Sequence, residues 1–381
     1  GFGVANPCNL VAIGNNALGQ SSNWSYSNGW NYLNARDTIA IGSNAATYQN
    51  GGGKNIAIGN CALQGNYSLT QATCQNIAIG YKSLHCILTG HENVAVGNYT
   101  GFCITSGGSN TFVGHAAGLY TTEGNGNTLV GHRSACANTS GQYNTVIGYR
   151  SLTNNTSGSY NIAIGSYAGD MSNGSCNIVI GNHNANLLND SNNIVIGNCN
   201  IVNSQSGQRN IIVGTFAGNN INYCNNSDNT FIGYHVFGGN NYGKTSSSCS
   251  NTAVGSQSMK CALGYNSTAI GKQTLVNLRN GKTAAVGNYA LYSNTYGSHN
   301  AAVGYNALSR NTTGYNNTAI GSYSGYYNTT GSNNTFIGNG ACGISPYSSN
   351  TVNLGNSSVT YLRAAVTNIT SLSDARDKTD V

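Results

Sequence analysis

The sequence predicts an all-β fold, a β-solenoid (β-roll) of about twenty coils with a 16–17-residue repeat, and three observations carry that reading. A short motif, Ile, Val, Thr or Ala, then any residue, then Ile, Val or Leu, then Gly, recurs from end to end, as in NTAIGSYSGYYNTTGSN, Asn317 to Asn333. Its glycine falls at twenty places from Gly14 to Gly355, and eleven of the nineteen intervals are 17 residues, with four more of 16. That period is too short for a helix pair and too regular for a sandwich, and it suits one coil of short strands and tight turns. Finally, only 6% of the residues are charged and only two are proline, Pro7 and Pro346, which separates this chain from the charged, Pro-rich disordered class.

Each column of the repeat has a physical role. The branched residue before the glycine and the one two positions earlier share one face of a strand, because side chains alternate with period two. The glycine suits a corner at positive φ. Four residues before it stands Asn in fifteen of twenty coils, for example Asn127, Asn144 and Asn161. Stacked Asn amides can form hydrogen-bonded ladders, and Asn also tolerates turn geometry. The column between the branched residues holds Ala57, Ala78, Ala95, Phe112, Leu129, Val146, Ala163 and Val179. A strand apolar on both faces is covered on both. The expectation is that this middle column meets copies of the chain around a common axis, its small side chains letting backbones approach. Twenty coils make a rod of about 95 Å.

The expected organisation is a first coil at 1–18, an aromatic-rich insertion at 19–37, the repeat shaft at 38–358, and a C-terminal connector at 359–381. The insertion holds both tryptophans, Trp24 and Trp30, with Tyr26 and Tyr32. It reads as a cap over the first coil, or as a ligand-binding surface whose rings stack on sugars.

Charge and chemistry exclude several classes. The net charge of +6 reflects few acids, and no run of basic residues marks a nucleic-acid surface. No apolar run approaches a membrane span, so no membrane insertion is expected. The acids before position 373 never pair within a column, which argues against a glycosidase and for a non-enzymatic chain. No cofactor is expected, and no metal site, although His115 and His132 share a column. Cysteine spacing shows no zinc pattern. Cys86 and Cys103 share a column in consecutive coils, while Cys74 with Cys86, and Cys249 with Cys261, flank an anchor glycine symmetrically. These are disulfide candidates, with free thiols as the alternative. The Asn-x-Ser/Thr sequons, Asn311, Asn328 and Asn356 among them, permit glycosylation.

Two resemblances add to this. The segment SDARDK, Ser373 to Lys378, resembles the opening of the endosialidase-type intramolecular chaperone domain at the end of phage tail spikes, tail fibres and giant-virus appendages. It implies a trimerising chaperone that cuts itself off, with Ser373 as nucleophile, Lys378 as base and cleavage between Leu372 and Ser373. Asp377 departs from the family's apolar preference, and the sequence ends at Val381, before the chaperone body, so the auto-processing site is expected to be incomplete and inactive here. The repeats NIAIGNCAL and NTAIGSYSG resemble the VAIG repeats in the heads of trimeric autotransporter adhesins. That similarity implies a left-handed β-roll in a parallel homotrimer. Together they lead to the expectation of a viral or phage fibre at the virion surface or in the extracellular space. It self-associates as a homotrimer and attaches to a host cell-surface glycan or receptor. The alternative is a cellular trimeric adhesin or an extracellular filament subunit.

Overall fold

The computed structural model describes residues 9–19, 37–48, 52–66, 73–170, 173–184, 190–200, 207–218, 227–238 and 249–361. They form a parallel β-solenoid with one strand per coil. Twenty strands run from β1 (Val11–Ile13) to β20 (Val352–Leu354), all of three residues except β11 (Ile194–Asn198) and β12 (Ile211–Thr215), which have five. Each strand pairs in parallel with the next in chain order and in phase with the repeat. Thus β8 (Thr145–Ile147) sets Val146 beside Ala163 of β9 (Ile162–Ile164).

Three-residue strands are short for a stable sheet, and the turns supply the missing ladder. The Leu308 amide donates to the Ser324 carbonyl (2.9 Å), and the Tyr323 amide to the Tyr305 carbonyl (2.8 Å). The coil is therefore hydrogen-bonded to its neighbours around the turn as well as along the strand, which satisfies its backbone polar groups.

The anchor glycine does what its column predicts. From Gly14 to Gly338 its φ lies between +115° and +146°, a region reached only without a Cβ. A Cβ on Gly114 would stand 2.6 Å from the Gly131 carbonyl oxygen. Two positions after the anchor and again four after it, residues other than glycine take left-handed φ, such as Tyr323 (56°) and Leu308 (49°). Each costs about 1–2 kcal/mol, which the surrounding coil-to-coil hydrogen bonds offset.

The structure reverses one expectation. The middle column of the strand faces into the coil: Ala57, Ala78, Ala95, Phe112, Leu129, Val146 and Ala163 are all fully buried. The branched columns on either side face outward instead. The physical reason is the narrow interior, which the middle column shares with the residue four after the anchor, and the two are matched in size. Where the strand offers Ala57 or Ala302, the turn brings in Leu63 or Leu308. Where it offers Phe112, the neighbouring turns carry Gly101 and Gly118, and a Cβ on Gly101 would lie 2.8 Å from the Phe112 ring. Phe336 is accommodated in the same way by Gly325. Phe231 departs from this pattern, stacking on Phe237 of its own turn (4.5 Å) with Gly218 in the preceding one, while elsewhere the matching keeps the interior close-packed.

The Asn column forms the ladder. Asn110, Asn127 and Asn144 are buried, and each Nδ2 donates to the Oδ1 of the preceding Asn at 2.9–3.1 Å. That Oδ1 also accepts the next Asn's backbone amide, at 2.9 Å for both Asn127 and Asn144. A second ladder lies seven residues after the anchor, where Asn311 donates to Asn294 (2.9 Å) and Asn328 to Asn311 (3.0 Å). It ends at Asn328, whose buried Oδ1 has no donor because the next coil has Ser345 in that column.

Candidate functional site

The surface feature that runs the length of the solenoid is the outward face of its sheet. The column before each anchor glycine is Ile or Val in nearly every coil, and it is exposed along much of the rod: Ile147 by 41%, Val303 by 47% and Ile320 by 47%. The companion column two residues earlier alternates between Ile or Val in some coils, as in Ile162 and Ile211, and Thr in others, as in Thr128 and Thr318. Because the strands stack in register, these side chains form one continuous apolar stripe. Isolated exposed apolar side chains are ordinary, but a contiguous stripe of this extent marks an interaction surface.

Aromatic residues flank the stripe, one or two positions after the anchor. Tyr81 and Tyr99 meet edge to face (centroids 5.2 Å), and His115 stacks on His132 (5.1 Å). His132 in turn stacks on Tyr149 (5.3 Å). The spacing follows from in-register stacking at one strand per coil. The two histidines thus form part of an aromatic ladder. Among the described residues, no group of three or more His, Cys, Asp or Glu is placed to hold a metal ion.

Cys74, Cys86, Cys103, Cys249 and Cys261 are partly buried free thiols. Burial pushes the Cys86 and Cys103 thiols above their ordinary value, and the neighbouring Cys103 raises Cys86 further. The two residues stand in successive coils, where the Cys86 amide donates to the carbonyl of Phe102 (3.0 Å), the residue before Cys103. Nearby, His85 is stacked on Phe102 (5.0 Å), and burial lowers its pKa. The described ion pair is Arg209 with Asp228 (2.6 Å), and its hydrogen bond holds the exposed Asp228 carboxyl below its usual range.

Trp24, Tyr26, Trp30 and Tyr32 of the insertion, and Ser373 and Lys378 of the C-terminal motif, lie outside the described residues. Among the described residues, no helix is long and apolar enough to cross a membrane. Two of the three sequons named from sequence have buried, ladder-bonded Asn side chains, Asn311 and Asn328, whereas Asn356 is exposed. No protein-family model matches the chain, and no curated protein is significantly similar to it.

Proposed function

We propose that the chain is the structural shaft of a homotrimeric fibre, of the kind borne by a virus or phage, that extends to and attaches to a host surface glycan. The observation that carries this is the apolar stripe on the outward sheet face. In a single solenoid it faces water along the whole rod. Three parallel copies that bring their sheets together around one axis cover it, and the burial of each Ile or Val contributes about 1.5–3 kcal/mol at most. Repetition multiplies that gain coil by coil, as it does for the stability of repeat proteins. In this reading the coil is left-handed, as the similarity to adhesin heads implies, and the chain performs no catalysis.

A fibre that attaches by many weak contacts gains avidity from three identical faces. Its uncharged surface, rich in Asn, Ser and Thr, offers hydrogen-bond donors and acceptors suited to sugar hydroxyls. Electron microscopy of the purified chain tests the assembly. The expected particle is a straight rod of about 95 Å with a three-fold cross-section. Rods of a single solenoid's width, with the stripe uncovered, would overturn the reading.

A further inference from the structure

The charge of this chain is distributed unevenly along its axis. Residues 1–228 hold six Lys or Arg and six Asp or Glu, whereas residues 229–373 hold seven Lys or Arg and no acid. Five of these bases, Lys260, Lys272, Arg279, Lys282 and Arg310, stand among the described residues of the last eight coils with no acid beside them, so the net positive charge of the described rod lies there.

The same coils carry a distinct aromatic surface. Tyr289 meets Tyr305 at an interplanar angle of 88°, Tyr305 meets Tyr323 at 78°, Tyr323 meets Tyr326 at 68° and Tyr326 meets Tyr327 at 82°. In the N-terminal half edge-to-face pairs, such as Tyr81 with Tyr99, are interrupted by face-to-face runs, His115, His132 and Tyr149 stacking at 10° and 14° so that their faces cover one another. Edge-to-face packing leaves ring faces open instead, and Tyr305, Tyr323 and Tyr327 are 45%, 41% and 55% exposed. Tyr289, Tyr305 and Tyr323 stand one or two positions after the anchor, beside the apolar stripe, and Tyr326 and Tyr327 five and six after it, further round the turn.

Arg310 joins the two features. Its guanidinium carbon sits 4.7 Å from the Tyr326 ring centroid and 5.6 Å from that of Tyr327. Rings hold the guanidinium through its face, leaving its in-plane N–H groups for a planar anion. The stretch from 229 to 373 contains no carboxylate to take them.

We infer that the ridge of Tyr289, Tyr305, Tyr323, Tyr326 and Tyr327 around Arg310 is a binding site for an acidic glycan. The pyranose rings lie on the open tyrosine faces, and a sugar carboxylate is held by the Arg310 fork. This rests on the glycan-attachment reading above and specifies the sugar class and the place on the fibre. Polarised sugar C–H groups suit the negative face of an aromatic ring, and a bidentate carboxylate suits Arg over Lys. Five described basic residues over eight coils are too sparse for the dense phosphate contacts of a nucleic acid.

The test is binding of the intact protein to four probes by isothermal titration calorimetry. They are hyaluronan oligosaccharides (uronic carboxylate), oligosialic acid (sialic carboxylate), neutral dextran and oligothymidylate. At least one acidic glycan binds in preference to dextran, and which of the two binds identifies the source of the carboxylate. Arg310→Gln weakens it by about tenfold or more, since a charge-assisted hydrogen bond is worth at least that much, and the exposed Tyr327→Ser weakens it by about twofold to tenfold through the lost ring contact. Tyr160→Ser, in the charge-balanced half, leaves it unchanged. Unaltered native mass and circular dichroism establish that the variants are folded. Dextran binding as tight as the acidic sugars overturns the acidic site and leaves glycan attachment standing. Oligothymidylate binding of equal strength and equal Arg310 dependence overturns it in favour of a nucleic acid. Binding to none of the probes overturns the inference and the glycan reading together, and particle shape still decides the fibre.

Discussion

Substituting one rung of the buried Asn ladder, Asn127→Ala, exposes how much the coil depends on it. Asn127 is fully buried. Its Nδ2 donates to Asn110 Oδ1 (3.1 Å) and to the Gly141 carbonyl (2.9 Å), and its Oδ1 accepts from the amide (2.9 Å) and Nδ2 (3.1 Å) of Asn144. After truncation the two acceptors keep other donors: Asn110 Oδ1 retains the residue 127 amide (2.9 Å), and Gly141 retains Asn138 Nδ2 (3.0 Å). Asn144 Nδ2 keeps the Gly158 carbonyl (3.0 Å), so the donor left without a partner is the Asn144 amide, and Asn144 is only 1% exposed. At about 1–3 kcal/mol for a buried unsatisfied donor, the loss is about 1–3 kcal/mol. The assay is hydrogen exchange at the Asn144 amide, backed by chemical unfolding. Its protection should fall by a factor of about 5 or more, since 1.4 kcal/mol is tenfold. Asn333→Gly is the control, because Asn333 bonds Asn350 in a similar ladder (3.1 Å) that is exposed and its φ of 59° suits glycine, and its loss should stay within about 0.5 kcal/mol. If Asn127→Ala costs no more than Asn333→Gly, the ladder is a by-product of turn geometry and the reasoning fails.

Three further outcomes follow from the same geometry. Gly114→Ala meets both a φ of +126° and a carbonyl oxygen 2.6 Å from the new Cβ, so it should lose about 1–3 kcal/mol from backbone strain alone with the clash added, seen as a lowered unfolding midpoint. Gly325→Ala brings a Cβ to 2.7 Å from the rings and methyls of Phe336 and Leu308. It should cost less in a Phe336→Ala background, with a coupling of about 0.5–3 kcal/mol in a double-mutant cycle; additive losses would contradict the shared-interior account. Expressed through a secretory pathway, the folded protein should carry glycan at Asn356 and none at Asn311 or Asn328, as read by glycopeptide mass spectrometry, because the latter two side chains are ladder rungs.

Much of this fold is legible in the sequence because a repeat writes each constraint many times. The anchor glycine, the Asn column and the strand before it are each fixed by one physical demand, and Asn127, Ile147 and Gly148 occupy them as the spacing predicts. The sense of the strand was not legible from alternation alone. Period two says that Val146 and Ile147 point to opposite faces but not which face is inside. The deciding signal was present at longer range, in the size matching of Ala302 with Leu308 and of Phe112 with Gly118. A reading confined to the strand overlooks it. The left-handed φ of buried Leu308 was equally hidden, since propensity assigns such positions to Gly or Asn and here tertiary packing overrides it. The second ladder through Asn311 was obscured because the same Asn-Thr-Thr text reads as a sequon. The candidate surface was half legible. Its apolar and aromatic columns are plain in the text, while the open ring faces around Arg310 depend on interplanar angles that spacing does not encode.

The central claim is that the outward Ile and Val stripe is covered by copies of the chain. Native mass spectrometry of the purified protein tests it most directly. The account predicts a single species of three times the 39.4 kDa chain, and a stable, soluble monomer would contradict it.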